Sequence, residues 1–345
     1  MMMMALIVGG LMLLLAGGEV LVRGSVGVAR KLGMSELMIG LTLVGFGTSM
    51  PEMVTSLQAL SDGAVGISVG NVIGSNIANV LLVVGAACLI SPIVINLRAL
   101  SRDGLVMIAA TILFAGVLWF DGFTRPMGIL FVVLLLIYLA VSVVLDQRKG
   151  SPVAAVHSGE AETVETHEPL WLALLLAVGG IAGVILGARM LVTGGAELAR
   201  TVGISETVIG ISIVAIGTSL PELVTSIVSA AKGRADVALG NVIGSNVFNI
   251  LGIMGVSAAV YPFSIVSGPS SAAGDKPLDV AALSYGPGES LISMQDMGAL
   301  ALSVFLLILF ACTERKIARW EGAVLLAGYA LYMAFSFDLI PRFTG

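Results

Sequence analysis

Residues Gly47–Ser56 read GTSMPEMVTS, and Gly217–Ser226 read GTSLPELVTS; Met/Leu exchanges at two of ten positions are the only differences. The offset is 170 residues, and in that register GNVIGSN at Gly70–Asn76 meets an identical GNVIGSN at Gly240–Asn246. Upstream, LVRGSVGVARKLGMSE aligns more weakly with LVTGGAELARTVGISE. Two matches in one register exceed chance, so the chain reads as one unit written twice.

What surrounds the motifs is apolar. Hydrophobic residues make up 57% of the 345 residues, charged residues 11%, and mean hydropathy is +1.05. Soluble domains carry about 25% charged residues, and a soluble globule could not clothe its surface with so few. This composition is that of an integral membrane protein. The net charge of −5 says little about partners, and no stretch has the dense Lys/Arg footprint of a nucleic-acid binder. Cys88 and Cys312, both at the ends of apolar runs, read as small core residues rather than a disulfide.

Apolar runs long enough to cross a bilayer fall near 3–22, 37–60, 65–90, 103–121 and 126–145, and again near 170–195, 205–230, 236–261, 294–312 and 320–340. LFVVLLLIYLAVSVVL and its like do not alternate, which excludes a β-barrel. The expectation is an all-α membrane protein of ten transmembrane helices in two five-helix repeats, 1–145 and 170–345, joined by a linker at 146–169. Because five is odd, the second copy enters from the opposite side; inverted repeats with substrate at their interface are a recurring plan of secondary transporters. MMMMALIVGG has no basic region ahead of its apolar run and reads as helix one rather than a removed leader.

Basic residues set the direction. With the N-terminus outside, the inner side holds Arg23, Arg30, Lys31, Arg98, Arg102, Arg148, Lys149, Lys232, Arg234, Arg315, Lys316 and Arg319, against Arg125, Arg200, Lys276 and Arg342 outside. Both termini are therefore expected outside the cell membrane. The inner segment 146–169, with His157, His167 and four glutamates, reads as a solvated linker rather than a metal-sensing loop, and 263–292 as an irregular outer loop.

Within the motifs, Glu52 and Glu222 are the deepest acidic residues. An ionised side chain at the centre of a span costs roughly 2.5 to 3.5 kcal/mol on insertion scales, so the pair calls for a compensating cation. Arg189, the one basic residue within a span, could serve one glutamate at most. The bland alternative, two protonated glutamates bonded to backbone carbonyls, does not explain why both sites recur. Pro51 and Pro221 each remove a helix N–H and free the carbonyl four residues earlier, at Gly47 and Gly217. Thr48, Thr55 and Ser56 share a helix face with Glu52, as Thr218, Thr225 and Ser226 do with Glu222. Asn71, Ser75 and Asn79 form a polar stripe that Asn241, Ser245 and Asn249 repeat; glycines at 70, 74, 240 and 244 permit close helix packing. The inventory is carboxylate, amide, hydroxyl and carbonyl oxygen. Hard oxygen donors suit Ca²⁺, Mg²⁺ and alkali ions rather than zinc or copper, and a flexible mixed cage suits Ca²⁺ better than Mg²⁺.

The paired GTSxPE and GNVIGSN motifs resemble the two signature repeats of the sodium/calcium exchanger family, in the calcium/cation antiporter superfamily, prokaryotic type. That resemblance implies an alternating-access antiporter exchanging sodium for calcium, no enzyme, with helices one and six sliding past a core of two, three, seven and eight. Its ion ligands map onto Thr48, Ser49, Glu52, Ser75 and Asn79, and onto Thr218, Ser219, Glu222, Ser245 and Asn249. No cofactor, nucleic acid or protein partner is implied beyond the transported sodium and calcium ions and the lipid bilayer. Potassium-carrying members, and some prokaryotic ones, have an aspartate where this chain has Asn249; the amide removes a negative charge, which favours the potassium-independent branch, and GTSxPE is unlike the motif of the proton/calcium branch; those two branches are the alternatives. A membrane hydrolase lacks its groups, since both histidines lie in the linker, and paired half-sites favour a carrier over a channel.

Overall fold

The computed structural model describes residues 2–61, 63, 65–95, 97–120, 123–148, 169–201, 215–263, 294–313 and 316–336. These residues are almost wholly helical. Helix α1 is Met2–Leu32; α2 spans 36–61; α3 is Val65–Ile90; α4 is Leu97–Trp119; α5 is Arg125–Arg148; α6 is Leu170–Thr201. Then come α7, described over 215–231, α8 (Ala235–Val260), α9 (Met294–Thr313) and α10 (Arg319–Ser336). Among the described residues, seven helices are long and apolar enough to cross a membrane. A helix satisfies its own backbone groups, which a lipid-facing chain must do.

The run expected from about 103 starts at Leu97, so Arg102 lies inside α4 rather than in a loop. There it forms a bidentate pair with buried Asp103 (2.7 and 2.8 Å). Cys88 is buried as expected, but Cys312 is exposed: both thiols are free, and Cys312 sits on a face of α9 that no described helix covers. The expected segment 205–214 of α7, the linker 149–168 and the outer stretch 264–293 lie outside the described residues.

Helices α3 and α8 are the most buried of the spans, and their glycines are why neighbours come close. A Cβ on Gly85 of α3 would strike Leu326 and the Gly322 carbonyl of α10 (2.8 and 3.0 Å). Its 170-residue counterpart Gly255 of α8 lies against Phe131 and Val132 of α5 (3.0 Å each). The outer helices keep large apolar residues exposed, among them Leu11 and Met12 on α1, Leu136 and Ile137 on α5, and Val178 and Leu186 on α6. Such faces belong against lipid.

Helices α1 and α6 cross antiparallel through a seam of glycines. Gly10 sits on Gly187 and Leu191 (2.8 and 2.7 Å to a built Cβ), Gly17 on Gly180 and Val184 (3.2 and 2.7 Å), and Gly24 on Ala173 and Ala177. From the other side, Gly194 rests on Ile7 and the Met3 carbonyl (2.8 and 3.0 Å). Glycines at 10, 17, 24 and at 180, 187, 194 keep a seven-residue spacing and the 170-residue register of the motifs. A heptad repeat holds one seam in place along a helix pair, and absent side chains let the backbones meet.

Candidate ion-binding site

Helix α2 is interrupted where its motif lies. A π-helical turn at Gly40–Val44 is followed by Gly45–Thr48; the helix then breaks at Ser49 (φ −84°, ψ 7°) and resumes as Met50–Ser61. Helix α7 breaks the same way at Ser219 (φ −88°, ψ 2°), between Ala215–Thr218 and Leu220–Ala231. The cause is Pro51 and Pro221, which cannot continue a helix but suit a first turn. Each glutamate therefore stands in the first turn of a resumed half-helix, where unpaired N–H groups offset part of the cost of a buried negative charge. Helices α3 and α8 contribute asparagines at π-helical turns, Asn79 opening Asn79–Val84 and Asn249 second in Phe248–Met254. Such turns gather at functional sites because the extra residue re-aims the side chains.

Of the ten residues singled out from sequence, Thr48, Ser49, Glu52, Ser75, Asn79, Ser219, Glu222, Ser245 and Asn249 are buried, and Thr218 is half-buried. Bonds between the two halves join several of them. Ser49 Oγ donates to Glu222 Oε1 at 2.8 Å, Ser245 Oγ to the Gly45 carbonyl at 3.2 Å, and Thr48 Oγ1 to Asn241 Oδ1 at 3.2 Å. Asn79 Nδ2 donates to Asn246 Oδ1 at 3.1 Å. Phe46 and Phe248 stack with centroids 4.4 Å apart, pinning α2 to α8 beside the cage. Ser49, three residues before Glu52, thus ties the first motif directly to the carboxylate of the second.

Two residues of the polar stripe serve the backbone. Asn71 Nδ2 donates to the Glu52 carbonyl (3.2 Å) and to Ser56 Oγ (2.9 Å); Asn241 Nδ2 does the same to the Glu222 carbonyl (3.3 Å) and Ser226 Oγ (2.9 Å). Each half thus fixes its glutamate through an amide brought by the next helix. Asn76 and Asn246, absent from the expected ligand set, are also buried here. Their signal in the sequence is the final Asn of the repeated GNVIGSN.

The remaining oxygens are what the site offers. Both carboxylate oxygens of Glu52, Glu222 Oε2, Asn79 Oδ1, Asn249 Oδ1, Ser219 Oγ and Thr225 Oγ1 are buried without a hydrogen-bond partner among the described residues. Neither glutamate forms an ion pair there; Arg189 does not reach them. Buried polar groups are nearly always paired, and orphaned carboxylate oxygens cost most. Two buried carboxylates accompanied by unpartnered amide and hydroxyl oxygens are of the donor type that suits a hard cation. Among the described residues no group of three or more His, Cys, Asp or Glu could hold a metal, so the site's charge is that of two carboxylates supported by neutral oxygens.

The family model described as sodium/calcium exchanger protein matches residues 2–144 and 172–337. The chain belongs to the sodium/calcium exchanger family. It is 34% identical to the putative antiporter CaxA of Alkalimonas amylolytica, covering 95% of this chain and 97% of the relative. It is 33% identical to the sodium/calcium exchanger MaX1 of Methanosarcina acetivorans, covering 95% and 96%. Among solved structures, the sodium-calcium exchanger NCX_Mj soaked with Na⁺ and Sr²⁺ aligns with a TM-score of 0.77 at 34% identity, over 97% of this chain and 98% of that one. As a member of a family of exchangers, the chain is a multi-pass membrane protein and a transporter of cations by antiport.

Proposed function

We propose that this family member exchanges sodium for calcium by alternating access, with both ions competing for one cage. Its ligands are Thr48, Ser49, Glu52, Ser75 and Asn79 from one half and Thr218, Ser219, Glu222, Ser245 and Asn249 from the other. The observation that carries the reading is the convergence of Glu52 and Glu222, buried and without an ion pair, on neutral oxygens that lack donors. Two carboxylates neutralise one divalent ion or two monovalent ones, and that equivalence lets the two cargoes displace each other. No cofactor beyond the transported ions is needed.

The architecture proposed for this is ten transmembrane helices in two inverted five-helix repeats, 1–145 and 170–345. The linker 146–169 is placed in the cytoplasm and both termini outside. Supporting it are the common 170-residue register of motifs, helix breaks and glycine seam, and the antiparallel crossing of α1 and α6. The test is ⁴⁵Ca²⁺ uptake into vesicles reconstituted with the purified protein. Uptake should rise with an outward sodium gradient and collapse when the gradient is removed. Uptake driven instead by a proton gradient, or only with potassium present, would transfer the chain to one of the other two branches of the superfamily.

A further inference from the structure

Hydrogen bonds within each half and hydrogen bonds between halves follow different rules in this cage. The Asn71 and Asn241 clamps, each inside its own half, agree to within 0.1 Å. Between halves, two related pairs each have one member made and the other not. Ser49 Oγ donates to Glu222, whereas the counterparts, Ser219 Oγ and the Glu52 carboxylate, have no partner among the described residues. Asn79 Nδ2 donates to Asn246 Oδ1 at 3.1 Å, and the counterpart bond would run from Asn249 to Asn76. It is absent: both amide atoms of Asn249 are unpartnered, while Asn76 turns its Nδ2 back to the Val72 carbonyl at 2.6 Å and leaves its Oδ1 buried without a donor. A buried donor without an acceptor and a buried acceptor without a donor thus occupy the places of a bond that the other half makes.

An amide is ambivalent toward a cation. Its oxygen binds the ion and its NH₂ group opposes it, so one end must be held away. Asn246 does this for Asn79: it takes the NH₂ group and leaves Asn79 Oδ1 buried and free. The NH₂ group of Asn246 itself rests against Met107 Sδ of α4 at 3.7 Å, which keeps its oxygen turned to Asn79. Resting on the reading of Asn79 and Asn249 as ion ligands, we propose that Asn246 and Asn76 are positioning residues of the cage. Each receives the NH₂ group of the other half's site asparagine and so aims that residue's carbonyl oxygen at the cation. In this structure the Asn246 clamp is closed and the Asn76 clamp open; closing the second completes the cage around Asn249.

A double-mutant cycle on the purified full chain tests this, read as equilibrium ⁴⁵Ca²⁺ binding with melting temperature as the folding control. Asn246→Leu should weaken binding about tenfold, the size of effect expected when a buried amide loses its partner. On an Asn79→Ala background it should add nothing, because the residue it positions is gone; on an Asn249→Ala background its full factor should return. A merely structural role would cost the same on both backgrounds. Asn246→Ala takes the place of Asn246→Leu in the cycle if the leucine variant is not monodisperse. The proposal is overturned if Asn79→Ala weakens binding but the change at 246 is silent, or if that change multiplies in full on the Asn79→Ala background. If Asn79→Ala leaves binding untouched, the ligand reading of Asn79 fails and takes the positioning role with it.

Discussion

Glu52 and Glu222 each stand in the first turn of a half-helix with no counter-charge among the described residues, so the charge balance of the proposed cage would rest on its cargo. Replacing either carboxylate by an amide leaves one negative charge, too little for a divalent ion in a low-dielectric site. Glu52→Gln and Glu222→Gln are each expected to abolish sodium-driven ⁴⁵Ca²⁺ uptake while the protein still inserts and elutes as wild type; normal uptake by either would remove the two-glutamate cage. Asn249 is the complementary case, a proposed ligand that is neutral where an acidic one would add charge. Wild-type exchange is expected to be indifferent to potassium, and Asn249→Asp, which brings a third carboxyl, to become stimulated by it. Potassium-free vesicles with and without added potassium make the comparison. Negligible wild-type flux without potassium would assign the chain to the potassium-dependent branch.

At the scale of the element, the seam between α1 and α6 has no room for a side chain at Gly17, whose built Cβ lies 2.7 Å from the Val184 nitrogen and 2.9 Å from the Gly183 carbonyl carbon. Gly179, on the same α6, meets nothing within 4 Å. Gly17→Val therefore has to push two backbones apart, with an overpacking cost of about 1 to 3 kcal/mol, whereas Gly179→Val costs little. The expected outcome is a lowered melting temperature and reduced exchange for Gly17→Val, and wild-type values for Gly179→Val. Equal behaviour of the two would mean that the helices do not meet through this seam. The heptad at 10, 17, 24 and 180, 187, 194 is written in the sequence, but forty-three glycines hide a pattern that acquires meaning only once two helices are known to touch.

For the whole molecule the open quantity is direction, which rests on the excess of Lys and Arg assigned to one side. With Cys88 and Cys312 replaced, single cysteines at the C-terminus and within 263–292 are expected to react with an impermeant thiol reagent applied to intact cells. One placed within 146–169 is expected to react only after permeabilisation. The reverse pattern would invert the molecule in the membrane, and with it the side from which each half of the cage is reached. Arg102 shows the limit of such counting: run length places it in a loop, yet it lies within α4 paired to Asp103, and a basic residue neutralised inside a helix carries less topological weight.

Helicity, membrane residence, the repeat and the chemical type of the candidate ligands are legible in the sequence, because each depends on local composition, apolar run length or identity between two strings. Ser49 bonding Glu222, Asn79 bonding Asn246 and Thr48 bonding Asn241 join residues 173, 167 and 193 positions apart, and no local pattern specifies which oxygen meets which donor. The roles of Asn71 and Asn241 are likewise open in the sequence, since an asparagine on a polar stripe can face an ion or a neighbour's carbonyl; packing chooses the carbonyl of each glutamate. The difference between the halves is beyond its reach altogether. Two copies of GNVIGSN are the same string and cannot say which of two related bonds is made; that asymmetry arises only where the copies pack against each other.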